Sequence, residues 1–296
     1  MLLVTGITGH SGRHFLQQLI DNSYSGKIRC VVRKNSDLDA LNSSGLDIEL
    51  VFGDLNDYAF VSKAIKNAKT ILHIYNIHHS IAIVHAAITN NVERAILVHT
   101  TGIYSDCKSV SSEYKRIEEE IFSKSKDRLN LTILRPSMIY GDICDHNMSK
   151  FIKMIDVLKI FPLIDDGKCL IQPVNAKDLG KAYYDVLMSP EVTSNKQYNL
   201  TGDRPINIKY ALFFIRKHLN KTTIFISVSI KISVCIAYIF KILTLGQFDI
   251  VEKVLRMGED RAYSHELAKK DFGYHPMSFE EGIQNEIIQF KIGKQR

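Results

Sequence analysis

A chain of 296 residues, 45% of them hydrophobic and 24% charged, is the size and composition of an ordinary globular protein with one large core and a smaller lobe. The formal net charge of +6, from 38 Lys and Arg against 32 Asp and Glu, suits anionic ligands. No basic run is interleaved with aromatics, which excludes nucleic acid as the expected partner, and Cys30, Cys107, Cys144, Cys169 and Cys235 show neither CxxC nor zinc-type spacing.

The chain opens on an apolar strand that runs into a triply glycined turn, Thr5-Gly6-Ile7-Thr8-Gly9-His10-Ser11-Gly12, and then into a helical pattern carried by Phe15, Leu16, Leu19 and Ile20. A sharp turn whose backbone approaches a pyrophosphate cannot tolerate Cβ atoms, and the free N–H groups of the following helix face the anion. Gly6, Thr8, Gly9, His10, Ser11 and Gly12 are therefore the expected dinucleotide cradle. Lys27 to Arg33 reads as the second strand of a βαβ unit. An acidic residue at the end of that strand would hold the ribose hydroxyls of NAD. Arg33 and Lys34 stand there instead, which favours the 2′-phosphate of NADP while leaving NAD open.

Asp47 to Phe52 gives a third strand, and the turn Gly53-Asp54-Leu55 places Asp54 and Leu55 to flank the adenine; Asp54 is equally suited to cap a helix starting near Tyr58. Strands over 69–75, 95–100 and 129–134 then alternate with helices over 81–90 and 113–124. Repeated strand–helix units with near-continuous apolar strands predict an α/β, Rossmann-type doubly wound parallel sheet. Residues 1–140 and 168–190 are assigned to the nucleotide-binding domain, and 141–167 and 191–296 to a smaller substrate lobe.

The motifs Thr5-Gly6-x-x-Gly9-x-x-Gly12, Gly53-Asp54-Leu55, Leu134-Arg135-Pro136-Ser137-Met138-Ile139-Tyr140-Gly141 and Pro173-Val174-x-x-x-Asp178-Leu179 occur in one order along the chain. Tyr198-Asn199-Leu200-x-Gly202 and Phe272-Gly273-Tyr274-His275-Pro276 complete the series. The whole resembles the extended short-chain dehydrogenases/reductases, in their NAD(P)-dependent epimerase/dehydratase branch. The resemblance implies a nicotinamide cofactor, a nucleotide-sugar substrate in the cleft between the two lobes, and hydride transfer at a hydroxyl-bearing carbon.

Members of that family use a Ser or Thr and a Tyr-x-x-x-Lys pair, in which the lysine lowers the phenol pKa so that the tyrosine exchanges a proton with the substrate. Thr100 matches the hydroxyl position. The pair itself is broken: Tyr114 has Glu118 where the lysine belongs, and Lys115 is adjacent to Tyr114, about 100° away round a helix. Thr100, Tyr114 and Lys115 are the expected catalytic set, with Arg116 as a further source of positive potential, Glu118 expected to act on Tyr114, and Tyr104 as a substitute acid. The same defect also fits a catalytically silent NADP-binding regulatory or scaffold protein.

His78 and His79 follow a strand and are candidates for the cofactor cleft; no histidine spacing indicates a metal. Arg204 and Arg261 are candidates for a substrate diphosphate, and Arg135 reads as a strand terminus. Residues 223–245 are strongly apolar but carry Lys231 at their centre, where a charge opposes membrane insertion. They are expected to form a strand and an apolar helix, with a membrane-facing or oligomerising helix as the alternative, Lys231 and Lys241 reaching out beside it. A first strand beginning at residue 2 leaves no room for a signal peptide, and together with the thiols this gives a cytoplasmic expectation; a homodimer is compatible.

Overall fold

The computed structural model describes residues 1–244, 247 and 250–295. Its strands are β1 (Leu2–Thr5), β2 (Ile28–Val32), β3 (Ile48–Phe52), β4 (Thr70–His73), β5 (Arg94–Val98), β6 (Asn130–Pro136), β7 (Ile139–Tyr140), β8 (Ile160–Ile164), β9 (Leu170–Ile171), β10 (Val174–Asn175), β11 (Gln197–Leu200), β12 (Ile206–Asn207) and β13 (Ile224–Val228). The helices are α1 (Gly12–Asp21), α2 (Asp39–Asn42), α3 (Tyr58–Ile65), α4 (Ser80–Thr89), α5 (Lys108–Ser125), α6 (Met148–Val157), α7 (Ala176–Met188), α8 (Pro190–Thr193), α9 (Ile208–His218), α10 (Ile230–Leu243), α11 (Val251–Arg256), α12 (Glu266–Phe272) and α13 (Phe279–Gln295).

Seven strands form one parallel sheet in the order β11-β6-β5-β4-β1-β2-β3. The order reverses between β1 and β4, so a crevice opens there at the carboxyl ends of the strands. Both faces are covered, which is why β1 and β5 are buried at every position instead of alternating. One face packs Phe15, Leu19, Tyr183 and Val186 of α1 and α7 against Val4, Leu72 and Ile96. The other packs α3 and α4, through Val61, Ile65, Ile83 and Val84, against Leu3, Ile71 and Leu97.

The smaller lobe has its own core, where Ile152 and Ile155 of α6, Leu212 and Ile215 of α9 and Ile283 and Ile287 of α13 meet Phe161 and Leu163 of β8. Two assignments of the chain to lobes change. β11 lies inside residues 191–296, yet it pairs in parallel with β6 and is the seventh strand of the main sheet. Ala268 and Tyr274, from the same segment, are buried in the α1/α7 side of the nucleotide-binding core. Conversely β10 leaves the main sheet and pairs with β7. The apolar stretch from 223 forms β13 and α10 as expected; its last residue, Leu245, lies outside the described residues.

Candidate active site

The glycine turn is built as the spacing requires. Gly6 has φ +79°, a left-handed conformation, and a Cβ there would lie 2.9 Å from the backbone nitrogen of Tyr75. A Cβ on Gly12 would lie 2.1 Å from the Gly6 carbonyl oxygen. Gly9 N–H donates to that same oxygen at 3.0 Å, closing the turn, and Thr8 and Gly9 are exposed at its crest. Ser11 is buried; its Oγ accepts the Tyr183 hydroxyl at 3.4 Å. The His10 imidazole and the Arg13 guanidinium both reach the buried carboxylate of Asp142, His10 at 3.2 Å. The turn is thereby tied to the loop that leads into the smaller lobe. Burial and the Arg13 charge hold His10 below the usual imidazole range.

At the far side of the crevice Arg33 is exposed, with its guanidinium carbon 6.0 Å from the centre of the Tyr75 ring. Tyr75 in turn stacks on His79, centroids 5.4 Å apart and planes 24° from parallel. Asp54 is exposed and accepts from the backbone and side-chain amides of Asn56, both at 2.9 Å, while Leu55 is buried. The cap of α3 is Asp57, whose carboxylate accepts from Ala59 and Phe60 N–H, so Asp54 does not cap that helix.

The 3-10 turn Ile77–His79 after β4 joins this end of the crevice to the other. Its anchor is His73: Nε2–H donates to the Asn76 carbonyl at 2.8 Å, so Nδ1 accepts the Thr5 hydroxyl at 2.6 Å. Full burial pushes the His73 pKa down to about 3, so the ring stays neutral. His78 leaves the same turn toward α5, where it meets the Tyr114 ring at 5.9 Å and the Glu113 carboxylate at 3.1 Å.

Thr100 and Tyr114 converge. A Cβ placed on Gly102 would lie 3.1 Å from Tyr114 Cε2 and 3.3 Å from Thr100 Oγ1, so both side chains border one point. Thr100 Oγ1 accepts the Gly102 N–H at 3.0 Å and keeps its own proton to donate. Lys115 is exposed, one residue beyond. Arg116 is also exposed and bonds Glu120 at 3.4 Å, so it is not beside Tyr114.

Glu118 departs from expectation. Its carboxylate does not face Tyr114; it is turned into the core, where it accepts from Arg135 Nε at 2.9 Å, from Arg135 Nη2, and from His99 Nδ1–H at 2.9 Å. Burial raises its pKa, but the bonds to His99 and Arg135 outweigh that and hold it below the usual carboxylate range. His99 Nε2 accepts from Ser80 at 2.9 Å. Arg135 continues the chain to the Tyr104 hydroxyl at 3.2 Å and to Gln197 at 2.6 Å; Tyr104 donates to Asn199 at 3.1 Å. Arg135 is thus the hub of a buried network, a role that its place in a strand-end motif did not reveal. Arg204 is engaged by Glu280 at 2.6 Å, and the Arg261 backbone N–H by Leu170 at 2.7 Å. Among the described residues no group of His, Cys, Asp and Glu is arranged to hold a metal ion.

Residues 6–148, which hold the glycine turn, Arg33, Thr100 and Tyr114, match a family model described as NAD(P)H-binding. By that match residues 6–148 are an NAD(P)H-binding domain, and the whole chain shares its fold with solved nucleotide-sugar enzymes. That fold is shared over 99% of this chain and 99% of the other with a UDP-glucose 4-epimerase from Thermotoga maritima, at 16% identity and a TM-score of 0.74. A dTDP-glucose 4,6-dehydratase from Streptomyces venezuelae with NAD bound superposes over 100% of this chain and 98% of its own, at 17% identity and TM-score 0.73.

Among curated proteins, the mitochondrial NADH dehydrogenase [ubiquinone] 1 alpha subcomplex subunit 9 of Dictyostelium discoideum is 28% identical over 68% of this chain. The sterol demethylase protein B of Methylococcus capsulatus is 35% identical over 24% of it. The chain covers 58% and 20% of those two relatives, less than two thirds of either. In this chain no described helix is long and apolar enough to cross a membrane.

Proposed function

We propose that the protein binds NADPH in preference to NADH and catalyses hydride transfer at a hydroxyl-bearing carbon of a nucleotide-sugar substrate. The glycine turn takes the pyrophosphate on the N–H groups at the start of α1, with Gly9, His10, Ser11 and Gly12 around it. Asp54 and Leu55 border the adenine. Arg33, exposed over Tyr75, supplies a bidentate cation for the 2′-phosphate. A bound nicotinamide would supply hydride exchange, taking hydride from the hydroxyl-bearing carbon when oxidised and returning it to the resulting carbonyl carbon when reduced. The observation that carries the catalytic half is the convergence of Thr100 and Tyr114 over Gly102. In this arrangement Thr100 donates a hydrogen bond to the reacting oxygen and Tyr114 passes the proton. Lys115 supplies positive potential from the rim, and the cytoplasm is the proposed compartment. The fold shared with a UDP-glucose 4-epimerase and a dTDP-glucose 4,6-dehydratase supports the substrate class.

A second reading is favoured by one feature. Position 118, where a lysine would assist Tyr114, holds a carboxylate committed to the core. An NADPH-binding subunit without turnover has the same appearance, and the name of the Dictyostelium relative places that protein in a larger complex. Incubation with NADPH or NADP and a panel of nucleotide sugars decides between them. Absorbance change at the nicotinamide band or sugar conversion, lost in Tyr114→Phe, is the expected result. Tight NADPH binding with no conversion of any sugar would assign the silent role.

A further inference from the structure

Helix α10 is amphipathic the wrong way round for a protein interior. Ile232, Ile236, Ile239 and Leu243 follow one another at spacings of four, three and four residues and so share one face. That face points outward: these side chains are 56, 57, 58 and 76% exposed, with Ile242 beside them at 71%. The opposite face carries Ala237, the helix's one fully buried residue. Phe240 flanks the stripe, 42% exposed; Tyr238, 52% exposed, and Lys231 lie farther round the helix, about 110–130° from its centre.

Charge distinguishes the possible coverings. α10 and α11, packed against each other, together hold four Lys or Arg against one Glu. The helix itself carries Lys231 and Lys241 and no acidic residue. Asp165 and Asp166 lie at its N-terminal end, but Asp165 accepts the Ile230 N–H at 2.8 Å and Asp166 is paired with Lys209 at 2.8 Å. The stripe is aliphatic, without the Trp or Arg that anchor the centres of protein–protein interfaces, and Phe240 stands at its edge. An aliphatic face flanked by Phe240, on two helices with an excess of basic residues, is the chemistry of a helix lying in the headgroup region of an anionic bilayer. With 14 residues, about 21 Å at 1.5 Å per residue, α10 is too short to span and long enough to lie flat.

We propose that α10 docks the protein onto a membrane surface rich in anionic lipid, with Ile232, Ile236, Ile239 and Leu243 in the acyl boundary and Lys231 and the basic residues of α11 at the headgroups.

The test is cosedimentation of the full chain with phosphatidylcholine vesicles prepared with and without phosphatidylserine. The chain is expected to pellet with the anionic vesicles and to be released in part by salt. Ile236→Glu/Ile239→Glu should weaken partitioning at least about tenfold, and Lys231→Glu by a smaller factor. Both substitutions fall on exposed positions, so unchanged circular dichroism and NADPH binding are expected to show that the variants fold. Equal recovery with neutral and anionic vesicles, or equal binding by parent and double variant, would overturn the proposal. So would a parent that stays in the supernatant. A concentration-dependent dimer that Ile236→Glu/Ile239→Glu abolishes, without vesicle binding, would give the face to a second copy of the chain instead.

Discussion

Glu118 of α5 and Arg135 of β6 form a buried, two-pronged ion pair, and the His99 ring holds the same carboxylate from the end of β5. Removing one member leaves an uncompensated charge in the core, which costs about 3–5 kcal/mol. Glu118→Gln should therefore lower the unfolding free energy measured in urea by an amount of that order. Glu118→Lys, far from rebuilding an i, i+4 partner for Tyr114, sets a cation against Arg135 and should yield little folded protein. A Glu118→Lys variant as stable as the parent would refute the assignment. The pH dependence has a definite sign. The folded carboxylate titrates below its unfolded value, so its contribution is present above the ordinary carboxylate range and is lost as pH falls through the folded pKa.

The glycine turn can be tested without unfolding it. Gly9 has no positive φ and a Cβ there meets only the Gly6 carbonyl oxygen, at 3.1 Å, whereas Gly12 has no room at all. Gly9→Val should remove NADPH binding in calorimetry while the melting temperature changes little, because the branched side chain stands where the pyrophosphate passes. Retained affinity would rule out that path.

For cofactor choice, Arg33→Ala removes a charge-assisted contact worth about 1.5–3 kcal/mol, so NADPH should bind at least about tenfold more weakly and NADH almost unchanged. Equal losses for the two cofactors, or a parent that prefers NADH, would contradict the 2′-phosphate assignment.

If the chain turns over substrate, Tyr114→Phe should reduce kcat by about 10²–10⁴ with NADPH affinity intact, and Thr100→Ala should do the same more mildly. Activity lost in Tyr104→Phe but kept in Tyr114→Phe would move the proton donor to the Arg135 network.

Glu286 offers a stability prediction of opposite sign to Glu118. It is fully buried in α13, accepts the Gly141 N–H at 3.2 Å, and its pKa is pushed up to about 9 by burial and by the neighbouring Asp145. A carboxyl raised in the folded state stabilises while protonated, and that contribution is lost as pH rises from the ordinary carboxylate range through about 9. Glu286→Gln should match the parent in acid and gain on it steadily up to that pH in thermal melts. A constant difference at all pH values would show that Glu286 does not titrate in this range.

The parallel sheet was legible because strands covered on both faces are apolar throughout, and the turn because Gly6 and Gly12 sit where a Cβ has no room. β11 was harder to place. Gln197–Leu200 joins β6 after a long excursion through the other lobe, and strand pairing at such separation leaves no local pattern. Glu118 misled for a related reason. Helical spacing puts it one turn beyond Tyr114, but its direction is set by Arg135 and His99, which come from two other strands. The same holds for Tyr75 and His79, whose stacking depends on a turn anchored through His73 and Thr5.

That turn also bears on how the protein can be redesigned. Residues 75–79 touch Arg33 at one end of the crevice and Tyr114 at the other, in one turn anchored at His73. If Arg33 takes the 2′-phosphate and Tyr114 the proton, cofactor preference and reaction chemistry are not separable modules. Exchanging this pentapeptide for that of a relative would then transplant both properties together, and a library that diversifies Arg33 alone would sample only part of the determinant.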